Sequence, residues 1–347
     1  MRRIGILLPA IVLGLLISAG PALACGGLIG PNGAVNLLRT STFAGYHDGV
    51  EHYVTSFEFA GGGGSFGSIT PLPDVPTSVV KGGDWTLQRL VRETTPQPAF
   101  ESFDALRASA AGSAEELMTV TIDALDLTVL RGGAAEIGTW AKDHGFRLPP
   151  DAPEVLDFYA QRSQIFLAAA FDADAAAERG QQIGDGTPVH LTIPTDNPWV
   201  PLRILALGKS GAERVEADVY LLTDEAPALL PAPTGRNGIR LDFDAAASQS
   251  LLADLRSDRG MEWIPSSAWL TKVAVDSEAA QLSYDLAIDA SGAGAPSTVD
   301  AGFTLTGVPV IPSGIDGGRL LLAVLFSLMG VAGIWLMTRH APRDAVR

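Results

Sequence analysis

Two uncharged apolar runs, one near each end of the chain, limit how much of it can fold as a globular body. From Leu320 to Met337 there are 18 residues without a charge. As a helix this run is about 27 Å long, close to the hydrocarbon thickness of a bilayer. A core helix of a soluble protein seldom stays apolar on every face over such a length, so the pattern predicts a membrane-spanning helix over 320–338. Trp335 suits an interfacial anchor near its inner end, and Arg319 marks its outer edge. Arg339, His340, Arg343 and Arg347 follow, and the positive-inside rule then makes 339–347 a basic cytoplasmic tail with the rest of the chain outside the cell membrane.

The other run, Ile4 to Ser18, follows Arg2 and Arg3 and is broken by Gly20 and Pro21 before Ala22-Leu23-Ala24. This is the charged, apolar and small-residue sequence of a signal peptide over 1–24. Cleavage after Ala24 makes Cys25 the first mature residue, so Ala22, Ala24 and Cys25 are the processing residues. Cys25 is then either a free N-terminus or a lipid attachment site. Lipoprotein signals want Leu three residues before the cysteine, where Ala22 stands here. A GPI signal would end in its hydrophobic tail rather than in arginines. Ile311-Pro312-Ser313-Gly314 lacks the L-P-x-T-G of a sortase signal, so the helix reads as a permanent anchor.

Between these ends lie a body over 25–290 and a linker and juxtamembrane segment over 291–319. The body is long enough for a large core, either as one domain or as two intimate subdomains with a break near 224–238. The mean hydropathy of +0.22 is inflated by the two ends. Without the terminal charges, 18 basic side chains face 38 acidic ones, a net charge near −20. Such a surface repels phosphate backbones, which excludes nucleic acid as a natural partner. A single cysteine excludes an internal disulfide, a CxxC redox motif and a cysteine-based zinc site.

Val35 to Tyr46 and Val50 to Phe59 are β-rich runs separated by His47-Asp48-Gly49, a hairpin signal, with Tyr53, Thr55, Phe57 and Phe59 alternating onto the expected core face. Ala60 to Ser65 reads as a glycine loop and Phe66 to Leu72 as a strand whose prolines suit an edge or a strand end. Helices are expected over Asp84 to Glu93, with Asp84 as its N-cap, over Ala134 to His144, ended by Gly145, over Pro153 to Gln161, and over Leu251 to Arg259. Strands are expected over Leu117 to Leu130, Gln164 to Phe171, Pro188 to Ile193, Leu202 to Leu207 and Val215 to Leu222. Trp269 to Val275 with Gln281 to Ile288 reads as a strand pair, and the stretches after Asp224 and from Ser291 to Ser297 as linkers or loops. The fold class is α+β: mostly antiparallel sheet with a few helices, plus one C-terminal transmembrane helix.

Several pieces in order resemble the uncharacterised bacterial family known as domain of unknown function 2330. They are Ala24-Cys25-Gly26-Gly27, Tyr53-Val54-Thr55, and Phe66 through Pro73 with its Ser68-Ile69-Thr70-Pro71 centre. Trp140, His144-Gly145-Phe146 and Leu148-Pro149 follow, then Leu191 to Thr195 and Pro201-Leu202-Arg203-Ile204. The resemblance spans roughly Cys25 to Asp224 and implies an exported, often anchored protein. It implies no activity, so it assigns no catalytic residue. Ser68 stands where an aromatic is expected, and a second cysteine found in some relatives is absent.

Candidate chemistry is sparse. Gly63-Gly64-Ser65-Phe66-Gly67 matches the G-x-S-x-G nucleophile elbow, but a strand entering prolines follows it rather than a helix. His47 and His52 share one face of the predicted hairpin with Glu58 further along, a conceivable weak metal site whose plainer reading is solvated histidines. Asp172 and Asp174 look like a fragment of a calcium loop without its glycine and glutamate, and so read as a strand-end turn. Trp140, Trp199, Trp263 and Trp269 could line a groove, although buried aromatics are the default. His144 suits a helix C-terminus better than a catalytic base. No catalytic or binding residue is assigned, and no cofactor or metal is expected. The expected function is that of a non-enzymatic interaction or structural module of the bacterial cell envelope. An envelope hydrolase is the second reading and a cation-binding surface protein the third. The expected partners are the membrane, through one helix, and an unidentified envelope protein or cation.

Overall fold

The structure is a computed structural model, and it describes residues 27–31, 33–34, 40–57, 65–95, 117–180, 187–290 and 294–303. Along the described chain the strands are β1 (Gly27–Gly30), β2 (Gly33–Ala34), β3 (Thr40–His47), β4 (Val50–Phe57), β5 (Phe66–Leu72), β6 (Ser78–Lys81), β7 (Met118–Ile122), β8 (Leu125–Arg131), β9 (Ile165–Phe171), β10 (Thr187–Pro194), β11 (Trp199–Val200), β12 (Arg214–Thr223), β13 (Ala228–Leu230), β14 (Ile239–Ala246), β15 (Trp269–Glu278) and β16 (Leu286–Asp289). The helices are α1 (Thr86–Thr94), α2 (Ala134–Asp143), α3 (Ala152–Ala160), α4 (Ala173–Glu178) and α5 (Gln249–Ser257), with 3-10 turns at Arg203–Ala206 and Ala279–Gln281. The class is α+β with mostly antiparallel sheets and few helices, as the sequence predicts.

Seven strands form the largest sheet, in the order β14-β15-β12-β3-β4-β10-β6. Its pairings are antiparallel except at the centre, where β3 runs parallel to β12 and Thr40 lies opposite Ala217. The β3–β4 hairpin turns at Asp48 and Gly49, both with positive φ (50° and 77°). That is the combination a tight two-residue hairpin needs for its twist to match the strands. A second sheet has the order β2-β1-β5-β9-β8-β7, and a third β11-β16-β13.

The largest sheet is covered on both faces. Ala44, Tyr53, Leu191, Val219 and Val273 join one continuous core with the second sheet, α2 and α3. On the other face Phe43, Val54, Tyr220 and Leu270 pack with Leu87 and Leu90 of α1 and Leu251, Leu252 and Leu255 of α5. The alternation of Tyr53 and Thr55 therefore finds its core, and the residues between them are covered as well.

Several expectations change once long-range contacts are visible. Leu117 to Leu130 is not one strand but the β7–β8 hairpin, turning at Asp123 with φ 53°. Leu202 to Leu207 is a 3-10 turn instead of a strand, because the N–H groups of Leu202 and Arg203 both donate to Asp285 Oδ1. β15 and β16 do not pair with each other: β15 lies between β12 and β14, and β16 between β11 and β13. The stretch after Asp224 contains β13, and β14 joins the edge of the largest sheet as a strand not expected above, although Ile239, Leu241, Phe243 and Ala245 alternate with charged residues along it. β5 is an interior strand, and among the described residues Pro71 lies past the last β1 partner and opposite Phe166 of β9. Residues 294–303 fall in the expected linker segment, yet Ala301 is fully buried. No helix among the described residues is long and apolar enough to cross a membrane. The expected signal peptide with Ala22, Ala24 and Cys25, the spanning helix and the basic tail lie outside the described residues.

Candidate functional site

The hairpin histidines part company. His47 turns to Asp224, with Nδ1 2.7 Å from Oδ1, and its Nε2 is 3.4 Å from Asp48. His52 sits opposite Gly45 on β3 and Thr192 on β10. This places it diagonal to His190, which lies opposite Val54, and the two rings meet head to head, with Nδ1 of His52 3.0 Å from Nε2 of His190. Trp263, from the loop between α5 and β15, stacks flat on His52 with centroids 3.8 Å apart and planes 5° apart. Gly45 makes room for that indole, since a Cβ there would come 2.3 Å from its ring.

Burial, then the neighbouring His190 and His47, push the His52 pKa down to about 3; burial pushes that of His190 down to about 4, opposed in part by Glu262. Both rings are therefore neutral at neutral pH and only weakly basic. Nδ1 of His190 has no partner and faces Gly260, where a Cβ would lie 3.2 Å away. An orphaned N–H is costlier to bury than a bare lone pair, so the proton is assigned to Nε2 of His190, which donates to His52. Glu58 lies outside the described residues.

Four acidic side chains are buried among the described residues, none of them singled out by sequence; one, Asp218, pairs with Lys272 at 3.2 Å. Glu51 is fully buried beside Tyr46 and Trp199 with no hydrogen-bond partner on either oxygen. Burial raises its pKa to about 8; the Trp199 N–H lowers it somewhat, although it is not aligned to hydrogen-bond either oxygen. Asp258 accepts the backbone N–H groups of Asp84 and Trp85, each at 3.0 Å, and the Thr86 hydroxyl at 2.8 Å. It thus holds the approach to α1 from the far end of α5; the N-cap position falls on Trp85, not on Asp84 as the sequence suggested, and no side chain caps the helix there. Gly83 is required at this approach, for its Cβ would lie 2.1 Å from Oδ2 of Asp258. Asp285 accepts from the Tyr159 hydroxyl and two backbone N–H groups and pairs with Arg162. Arg162 stacks against Phe158, Tyr159 and Trp199 and also donates to the Asp300 carbonyl. This web fastens the segment 294–303 to the body.

The remaining sequence candidates scatter. Ser65 is exposed and leads into β5, and among the described residues no hydrogen bond joins it to a histidine. His144 lies at the end of α2, its Nδ1 2.9 Å from the Trp140 carbonyl and its ring stacked on Trp140. Asp172 caps α4 by accepting the N–H groups of Asp174 and Ala175. Trp199 joins the Arg162 web, and Trp269 donates to Asp244. Among the described residues no three of His, Cys, Asp and Glu converge as a metal site needs.

Fold and site together define an α+β protein with a two-sided central sheet and inward-turned polar groups. The chain belongs to the family described as "Uncharacterized protein conserved in bacteria (DUF2330)", which it matches over residues 19–289. No match is found among curated proteins. Among solved structures it is similar to a mutated baculovirus P35 after caspase cleavage, at 7% identity and a TM-score of 0.38 over 72% of this chain and 99% of that one. P35 in complex with caspase-8 gives 8% identity and a TM-score of 0.34 over 72% and 90% of the two chains. Baculovirus P35 alone gives 9% and 0.34 over 73% and 90%. Likeness at this level carries no argument about fold or function.

Proposed function

We propose that this protein is exported, held at the cell membrane by the helix over 320–338, and acts outside it as a non-enzymatic interaction module of the bacterial envelope. The observation that carries the reading is Trp85. Its side chain is 45% exposed while its backbone N–H is fixed by Asp258, and Val80 on the edge strand β6 is exposed as well. An exposed indole on a rigid backbone is the kind of anchor that dominates protein interfaces, because little entropy is lost when it docks. The large buried polar groups support the same reading, since Asp258 and Asp285 are spent on internal hydrogen bonds. Affinity capture of the tagged, membrane-intact protein, compared with Trp85→Ala, tests it. The partner should be lost from the variant while the thermal midpoint stays within a degree or two. Equal capture by both proteins refutes the role of Trp85. In spheroplasts a C-terminal epitope should resist added protease while the body is digested, and a cleaved epitope would overturn the topology.

A further inference from the structure

Outside these clusters a groove of about 230 Å³ opens between the start of α3, the 3-10 turn at Arg203–Ala206 and the turn at Ala279–Gln281. The groove carries Asp151 and Glu154 from the α3 region together with Arg203 and Lys209, over an apolar floor that includes Val155 and Leu282. The geometry points to a binding site for a small zwitterion, a free α-amino acid with an aliphatic side chain.

The argument rests on how the four charges are already engaged. Arg203 pairs with Glu154 at 2.6 Å, and the Glu154 side chain is 79% exposed while that of Arg203 is 17% exposed. Arg203 is held from below by Phe158, 4.2 Å under its guanidinium, and its backbone is fixed by Asp285. Asp151 is oriented by the Gly208 N–H at 2.9 Å, which leaves lone pairs free. Lys209 is anchored on Glu213 at 3.0 Å and keeps further donors. A ligand with one charge meets only half of this lining: a lone carboxylate reaches the spare donors of Arg203 and Lys209 but gains nothing from Asp151 and Glu154, and a lone ammonium the reverse. A zwitterion meets both halves: its carboxylate takes the Arg203 fork beside Lys209, and its ammonium lies between Glu154 and Asp151. Ala206 and Ala280 also line the groove and are less covered than Val155 and Leu282 behind them, so they supply the apolar contact for an aliphatic side chain. The size suits a solute smaller than the drug-sized ligands of typical pockets. Pro201-Leu202-Arg203-Ile204, one of the stretches through which the sequence resembles its family, supplies the guanidinium.

The test uses the full-length protein in detergent, with L-leucine as probe and 4-methylpentanoate and isoamylamine as its singly charged counterparts. Leucine should raise the thermal midpoint saturably, because a ligand of the folded state alone must do so, and the two counterparts should not. Glu154→Gln, at a largely exposed position, should fold normally and weaken leucine binding in calorimetry by about ten-fold or more. Arg203→Lys keeps the charge, loses the fork and should also weaken it. The assignment is overturned if leucine, glycine and phenylalanine leave the midpoint unmoved at about 20 mM, a concentration that would saturate a millimolar site. It is equally overturned if a singly charged counterpart matches leucine, or if Glu154→Gln binds leucine as well as the parent does.

Discussion

Glu51→Gln should change the way stability depends on pH, because Glu51 is a fully buried carboxyl without a hydrogen-bond partner. Its pKa stands at about 8 in the fold against an ordinary value of 4.5. Between those values the folded state holds a proton that the unfolded state has released, so stability falls as pH rises through this window and levels off above 8. At about 1.4 kcal/mol per pH unit, the loss by pH 7 is about 3 kcal/mol, and about 5 kcal/mol by the end of the window. Glutamine has nearly the same shape and nothing to ionise, so the variant should lack this alkaline loss, even if its amide lowers stability by a constant amount. Chemical denaturation followed by tryptophan fluorescence, from about pH 5 to 9 with the denaturant slope checked for constancy, measures it. A parent protein and variant with parallel curves over that range would refute the reasoning.

Acid should act through the histidine pair with the opposite sign. His52 and His190 have pKa values of about 3 and 4, below the ordinary value of 6.5, so the unfolded state binds more protons there and stability falls as pH drops below 6.5. His190→Gln should shallow that acid limb in the same denaturation series, and an unchanged limb would exclude the pair as its source. Asp258→Ala leaves three donors of the α1 start without their acceptor and should lower stability by about 3 kcal/mol or more; Gly83→Ala should do nearly as much by pushing that carboxylate away, both read from denaturation midpoints. Asp285→Asn strips the charge from the partner of Arg162, whose side chain is 5% exposed. The expected loss is about 3 to 5 kcal/mol, and faster proteolysis after Phe303 should accompany it.

The local architecture was legible where one short stretch carries the whole cause. Asp48-Gly49 dictates its hairpin through backbone freedom alone, and Gly145, with φ 77°, ends α2 as its sequence suggests. What escaped was written in partners far along the chain. Asp84 has the right chemistry to cap α1, but Asp258, some 170 positions away, takes hold of the Asp84 and Trp85 N–H groups and the cap position falls on Trp85. Leu202 to Leu207 has strand-forming residues and is bent into a 3-10 turn by Asp285. The site was less legible than the fold. His52 was visible, but its partner His190 lies on a strand that reads as ordinary sheet. Glu51 follows the turn residues Asp48 and Gly49 and looks like a surface charge, because nothing local reveals that the sheet is covered on both faces.

The parallel contact at the centre of the largest sheet also sets an order of events during synthesis. β3 leaves the ribosome early, whereas β12, its neighbour on one side, is made only after 166 further residues separate His47 from Arg214. At ordinary elongation rates the wait is about 10 to 30 s. Throughout it the β3–β4 hairpin presents an unsatisfied edge to any other chain nearby. Nascent or truncated chains that stop before Arg214 should therefore be the aggregation-prone species, and holdase chaperones should engage this protein chiefly during that interval.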